Sequence, residues 1–198
     1  MMNYQLTLAS IMQRAESLHG PREIVTRLPD RQIHRYTYAD FIRRAKRFAL
    51  ALQRLGVQPG ERVATLCWNH YQHLEAYFAI PVSGAVIHTL NLRLAPDDLA
   101  YIANHAGDSI VLVDQVLWPV FARFREQVPF RHVIVVGQDG TPVPEGTLDY
   151  EQLIAAEDES AFTYRELDEN QAAAMCYTSG TTGRPKGVVY SHRSLVLE

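Results

Sequence analysis

The sequence predicts an α/β fold: a mostly parallel sheet flanked by helices, entered through an N-terminal β-hairpin. Three observations predict it. Short apolar runs rich in β-branched residues, "SIVLVD" and "HVIVVG", alternate with longer stretches whose apolar residues repeat at helical spacing. That is the pattern of strands buried on both faces between helices. Two extended runs near the start, Arg22 to Leu28 and Gln32 to Tyr38, are separated only by the turn-forming Pro29, Asp30 and Arg31. Towards the other end, a run of Gly, Ser and Thr stands between two further apolar runs, "AAAMCY" and "GVVY".

The opening "MMNYQLTLASIMQRAESLHG" has no basic leader and no small-residue cleavage site. It is expected to form an amphipathic helix and not a secretion signal. After the hairpin, Thr37 and Asp40 make a capping pair for a helix running to about Leu55. Phe41, Ala45, Phe48, Leu52 and Leu55 give it one buried stripe, and Gly56 with Pro59-Gly60 ends it. "RVATLC" is then a strand, with Asn69 as the expected cap of a helix from near Tyr71. "AVIHTL" is a strand, and "PDDLAYIANHAG" a helix with Pro96 at its start and Gly107 just past its end. "QVLWPVFARFREQV" is expected to be a helix between the two apolar strands quoted first. "GQDGTPVPEGT" is a loop, "DYEQLIAA" a short helix, and "EDESAFTYRELDEN" a surface segment. The organisation expected is residues 1–58 as N-terminal helix, hairpin and long helix, and 59–198 as an α/β subdomain ending in the Gly/Ser/Thr loop.

The chain has 198 residues, enough for one large domain or part of one. A formal charge of -3 removes any general electrostatic reason to expect nucleic acid. No stretch of about 18 apolar residues is present, so no transmembrane segment is expected. The only cysteines, Cys67 and Cys176, have no paired spacing, which predicts reduced thiols in a cytoplasmic protein. Cys67, His70 and His73 stand at three-residue intervals but lack a fourth ligand at motif spacing, so no metal is assigned. Asp97 and Asp98 are expected to cap a helix, and the basic residues Arg43, Arg47 and Arg54 to form a solvated face. No serine occupies a G-x-S-x-G elbow, which leaves a hydrolase nucleophile without support.

The remaining stretch is "YTSGTTGRPKG", from Tyr177 to Gly187. On composition alone it suits a flexible linker or a phosphate cradle. Glycine lets backbone N–H groups approach phosphate closely, hydroxyls add donors, and Lys186 adds a compact charge. It is not a Walker A loop, because Lys186 precedes Gly187 and a strand, not a helix, follows. The residue order resembles the phosphate-loop signature of the adenylate-forming superfamily. "YTYADF" and the segment from "LGVQPGERVATLC" to "SIVLVD" resemble the same superfamily. Within it, "WNHYQHLEAYFA" and "HTLNLRL" are most similar to bacterial medium- and long-chain fatty-acyl-CoA synthetases.

The resemblance implies an ATP-dependent ligase that activates a fatty acid as acyl-AMP and passes it to coenzyme A, with Mg2+ sharing the phosphate charge; the alternatives are a non-catalytic assembly or phosphate-binding module, or an adenylating ligase for an aryl or other acid. It implies that Thr178, Ser179, Gly180, Thr181, Thr182 and Gly183 cradle the β- and γ-phosphates and that Lys186 pairs with them as the catalytic cation. His192 is a common companion of the signature and is assigned no role. Such enzymes continue well beyond this loop. The chain is therefore expected to be an N-terminal fragment without the remainder of the large domain and the C-terminal domain, inactive alone. It is also expected to expose sheet edge and to associate as a homodimer.

Overall fold

Helix α1 (Leu8–His19) leads into the antiparallel hairpin of β1 (Glu23–Arg27) and β2 (Ile33–Thr37), and α2 (Tyr38–Arg54) follows. Then come β3 (Arg62–Leu66), α3 (Tyr71–Val82), β4 (Val86–Thr89), α4 (Pro96–Ala106), β5 (Asp108–Asp114), α5 (Trp118–Phe121) and β6 (His132–Val136). The chain continues through β7 (Leu148–Asp149), α6 (Tyr150–Ala155), β8 (Ala172–Thr178), β9 (Lys186–Ser191) and α7 (His192–Leu197). This computed structural model describes residues 4–28, 31–137, 141–178 and 184–198. Pro29 and Asp30 of the expected hairpin turn, and residues 138–140 of the expected loop, lie outside the described residues.

The large sheet has the order β7-β6-β5-β3-β4-β8-β9. Every neighbouring pair is parallel except β8 and β9. Alternation along the strands divides the core into two layers. Val63, Ile110, Leu112 and Ile134 join Phe48, Leu52 and Ile80 on the face covered by α1, α2, α3 and α6. Ala64, Val111, Val113 and Val135 join Leu99, Ile102 and Phe121 on the opposite face. Both faces are covered, which is why the strands are apolar throughout and not alternately polar.

Local chemistry explains most boundaries. Asp40 N–H donates to Thr37 Oγ1 at 3.1 Å and Thr37 N–H donates to Asp40 Oδ2 at 3.0 Å, completing the capping box of α2. Gly107 closes α4 at φ 68°, in the left-handed region that glycine enters without cost. Arg62 Nε and Nη2 donate to the carbonyls of Ala106 and Gly107 at 2.7 and 3.1 Å. A cation thus sits where the helix dipole is negative.

Three expectations need correction. His70, not Asn69, caps α3: its ring accepts from His73 N–H at 3.2 Å, and it is the residue immediately before the first helical turn. Asp97 and Asp98 do not cap α4, since the position before Pro96 is Ala95 with no side-chain bond; they lie in the first turn, where the dipole favours anions. Residues 115–128 do not form one helix. They form a 3-10 turn, the four-residue α5 and a second 3-10 turn. Pro119 has no N–H for the carbonyl of Gln115, so a regular helix starts no earlier than Trp118. Phe121 and Phe124, both fully buried, then stack edge-to-face at 5.3 Å and hold the chain in an irregular path. Strand β7 and helix α7 carry no signal that predicted them.

Candidate functional site

Strands β8 and β9 form a hairpin at the sheet edge, with Thr178 opposite Lys186, Tyr177 opposite Gly187 and Cys176 opposite Val188. Thr178 and Lys186 are therefore the last pair before the hairpin mouth, and both are exposed. Residues directly opposite share a face, so their side chains leave the hairpin on the same side. Lys186 has no carboxylate partner among the described residues. Ser179, Gly180, Thr181, Thr182 and Gly183, the remaining predicted cradle residues, lie outside the described residues. At the mouth an ammonium and a hydroxyl thus flank the glycine-rich segment, a donor set suited to phosphate oxygens.

Tyr177 leaves the opposite face of the hairpin and packs on α4. Its hydroxyl meets His105 Nδ1 at 2.6 Å, and burial pushes its pKa up, with Asp108 adding to the shift. The ring crosses Gly187 so closely that a Cβ there would stand 3.2 Å from Tyr177 Cζ. Beneath it lies His88, whose ring centroid is 5.3 Å away. His88 Nδ1–H donates to both oxygens of Asp108, at 2.9 and 2.8 Å, and both side chains are fully buried. Burial raises the Asp108 pKa, against the opposing pull of His88 and Arg62. On the other side of the mouth, the Arg184 guanidinium lies over the Tyr101 ring, 4.8 Å from its centroid. Tyr101 and His105, one helical turn apart on α4, and Asp108 were not singled out by the sequence, and His88 only as the first residue of "HTLNLRL".

The other candidates have structural work. Cys67, His70 and Asp114 place ligand atoms within 4.8 Å of one another, with Asp114 where the sequence suggested His73. Hydrogen bonding argues against a metal there. His70 Nδ1 accepts from His73 N–H, so Nε2 carries the proton and donates to Asp114 Oδ1 at 2.7 Å; it has no lone pair to offer. Asp114 Oδ2 already accepts from Trp68 N–H at 2.7 Å, and burial pushes the Cys67 thiol well up. His192 is fully buried, and its Nδ1 accepts from Leu8 N–H at 3.3 Å, tying α7 to α1.

On the basic face of α2, Arg43 and Arg54 are exposed as expected, and its cations also meet carboxylates. Arg47 pairs with Glu159 at 2.6 Å and Arg54 with Glu157 at 2.5 Å, so the acidic segment after α6 lies along it. Arg44 reaches furthest in, donating to the fully buried Glu75 at 2.7 Å and to Glu151 at 2.8 and 2.7 Å. Tyr150 OH donates to the other Glu75 oxygen at 2.6 Å. Burial raises the Glu75 pKa while Arg44 and Tyr150 oppose the shift.

A family model described as AMP-binding enzyme matches residues 13–198. The chain belongs to that family. A long-chain-fatty-acid–CoA ligase of Thermus thermophilus is 46% identical over 198 residues, covering 100% of this chain and 35% of that protein. A medium-chain-fatty-acid–CoA ligase of Ectopseudomonas oleovorans is 38% identical over 201 residues, covering 100% of this chain and 37% of the other. The chain thus spans about a third of the length of these curated relatives. Among solved structures, an anthranilate CoA ligase in complex with anthranoyl-AMP superposes with a TM-score of 0.83 at 25% identity, over 94% of this chain and 35% of that one. An acetoacetyl-CoA synthetase from Streptomyces lividans gives 0.83 at 25% identity, over 94% and 30%. The superfamily resemblance and the mostly parallel α/β architecture with its N-terminal hairpin agree with these family members.

Proposed function

We propose that the chain is the N-terminal part of an AMP-forming fatty-acid:CoA ligase and carries its phosphate-binding hairpin. In this reading the fatty-acid carboxylate attacks the α-phosphorus of ATP, the bond to the β-phosphate oxygen breaks, and pyrophosphate leaves. The thiol of coenzyme A then attacks the acyl carbon and AMP departs. Charge accumulates on the departing pyrophosphate oxygens, and donors fixed at that point lower the barrier. Lys186, with Thr178 and the residues Ser179 to Gly183, supplies them. Of these two side chains only the Thr178 hydroxyl could serve a Mg2+ held chiefly by the ATP phosphates, so the charge stabilisation is assigned here to the chain's own donors.

The observation that carries the reading is the register that sets Thr178 opposite Lys186 across the mouth of the signature segment. The choice of a fatty acid is supported by the ligases at 46% and 38% identity. Low cysteine content supports a cytoplasmic location, and the β9 edge, with Val188 37% and Val189 53% exposed, supports association as a homodimer. No helix among the described residues is long and apolar enough to cross a membrane.

Carboxylate-dependent ATP–pyrophosphate exchange tests the proposal, using short, medium and long fatty acids and benzoate. The chain by itself is expected to be inactive, and a longer protein that carries it together with the rest of the ligase to exchange with fatty acids. Exchange with benzoate alone, or with no acid, contradicts it.

A further inference from the structure

We infer that His105 and Tyr101, on one face of helix α4, are positioning residues that set where Lys186 stands. The kinetic consequence rests on the ligase reading above; the mechanical one does not.

Helix α4 touches both sides of the hairpin mouth. On the strand that enters it, Tyr177 is adjacent to Thr178 and bonds His105 Nδ1 at 2.6 Å. On the side that leaves it, Arg184 stacks on Tyr101 two residues before Lys186. Tyr101 and His105 are four residues apart and so lie one above the other on the helix surface. The Tyr177 ring also spans the hairpin, lying so close to Gly187, the neighbour of Lys186, that a Cβ there would stand 3.2 Å from Tyr177 Cζ. Behind the ring stands the buried His88–Asp108 pair, which gives it a rigid floor. The helix is itself fixed at this end by Arg62, bonded to the carbonyls of Ala106 and Gly107.

Strand alternation completes the device. Tyr177 and Gly187 face α4, whereas Thr178 and Lys186 leave the other face. The backbone of Lys186 is therefore held from behind while its ammonium, which meets no carboxylate among the described residues, leaves the front. A group that acts on charge developing in a transition state needs such placement, since a misplacement of about 1 Å costs up to roughly a hundredfold in rate.

The test compares His105→Leu, Tyr177→Phe and His105→Asn, the last because its amide can replace Nδ1 in the bond to Tyr177. In the full-length ligase, His105→Leu and Tyr177→Phe are expected to lower kcat/KM for ATP in pyrophosphate exchange by about tenfold, part of the loss that misplacement allows. His105→Asn should stay near wild type. Thioester formation from preformed acyl-AMP, which does not involve the β- and γ-phosphates, should be unchanged in all three. On the present chain, amide hydrogen exchange should quicken in peptides covering Tyr177 to Val188 in His105→Leu and not in His105→Asn. Wild-type exchange kinetics in His105→Leu would overturn the inference. Equal loss in both half-reactions without recovery in His105→Asn would also overturn it, by reducing the contact to a general support of the fold. If the wild-type ligase exchanges with no acid, the ligase reading fails, and the amide measurement alone decides whether α4 holds the hairpin.

Discussion

The cations of helix α2 and the cation of strand β9 meet opposite circumstances. Arg43, Arg44, Lys46, Arg47 and Arg54 each face a carboxylate, from Asp40, Glu75 and Glu151, Glu16, Glu159 and Glu157 respectively. Lys186 faces none among the described residues and is exposed at the mouth of its hairpin. The difference teaches what each charge is for. The α2 cations tie the helix to α1, α3, α6 and the acidic segment after α6, whereas Lys186 meets no such tie among the described residues. Most of the α2 pairs are partly exposed, where such pairs contribute about 0–1 kcal/mol each. Arg44 is the exception, because Glu75 has no contact with water.

Breaking that pair is expected to have the largest effect on stability. Arg44→Met leaves Glu75 buried without its cation, and the loss should be about 3–5 kcal/mol in urea unfolding; a loss below 1 kcal/mol would remove the contrast. Next comes His73. The Trp68 carbonyl can only accept, so His73 Nδ1–H donates to it at 3.2 Å and Nε2 accepts from Thr65 Oγ1–H at 3.0 Å. Burial lowers its pKa from 6.5 to about 4, with the neighbouring His70 adding to the shift. The unfolded chain therefore binds the extra proton first. The contribution is fully present above pH 6.5 and is lost as pH falls through about 4. Unfolding measured across that window should show roughly 3 kcal/mol lost to this group, and His73→Gln should flatten the profile; an unchanged profile in His73→Gln contradicts the assignment.

Smaller effects sharpen the comparison. Thr37→Ala removes one half of the α2 capping box and should cost about 1 kcal/mol. Lys186→Ala, which breaks no ion pair among the described residues, should change stability by less than about 0.5 kcal/mol. A larger loss from Lys186→Ala than from Thr37→Ala would mean that Lys186 has a structural partner after all.

What the sequence made legible follows the range of the interactions. The Thr37–Asp40 cap, the stripe from Phe41 to Leu52 and the left-handed Gly107 depend on residues within a few positions, and each is visible as a pattern. The family resemblance carried by residues 177–187 was legible for the same reason. Partners distant in sequence were not: Arg44 meets Glu75 and Glu151 at separations of 31 and 107 residues, and His105 meets Tyr177 at 72. On the solvated face expected for α2, Arg43 and Arg54 are exposed, but the carboxylates that Arg47 and Arg54 meet, Glu159 and Glu157, come from beyond α6 and were not legible. The helix expected over residues 115–128 failed because its apolar residues answer to the aromatic cluster of Phe121, Phe124 and Phe130 and not to helical period. The support beneath the candidate site belongs to the same class: α4 and the His88–Asp108 pair act on the hairpin only once the sheet has brought β4, β5 and β8 together.

The most direct test of the account is ATP–pyrophosphate exchange at saturating ATP in the full-length ligase, wild type against Lys186→Ala. The account expects the rate with a fatty acid to fall by about a hundred- to a thousandfold, the cost of one donor to a developing charge, roughly 3 kcal/mol. An unchanged rate would show that the cation at the hairpin mouth takes no part in adenylation.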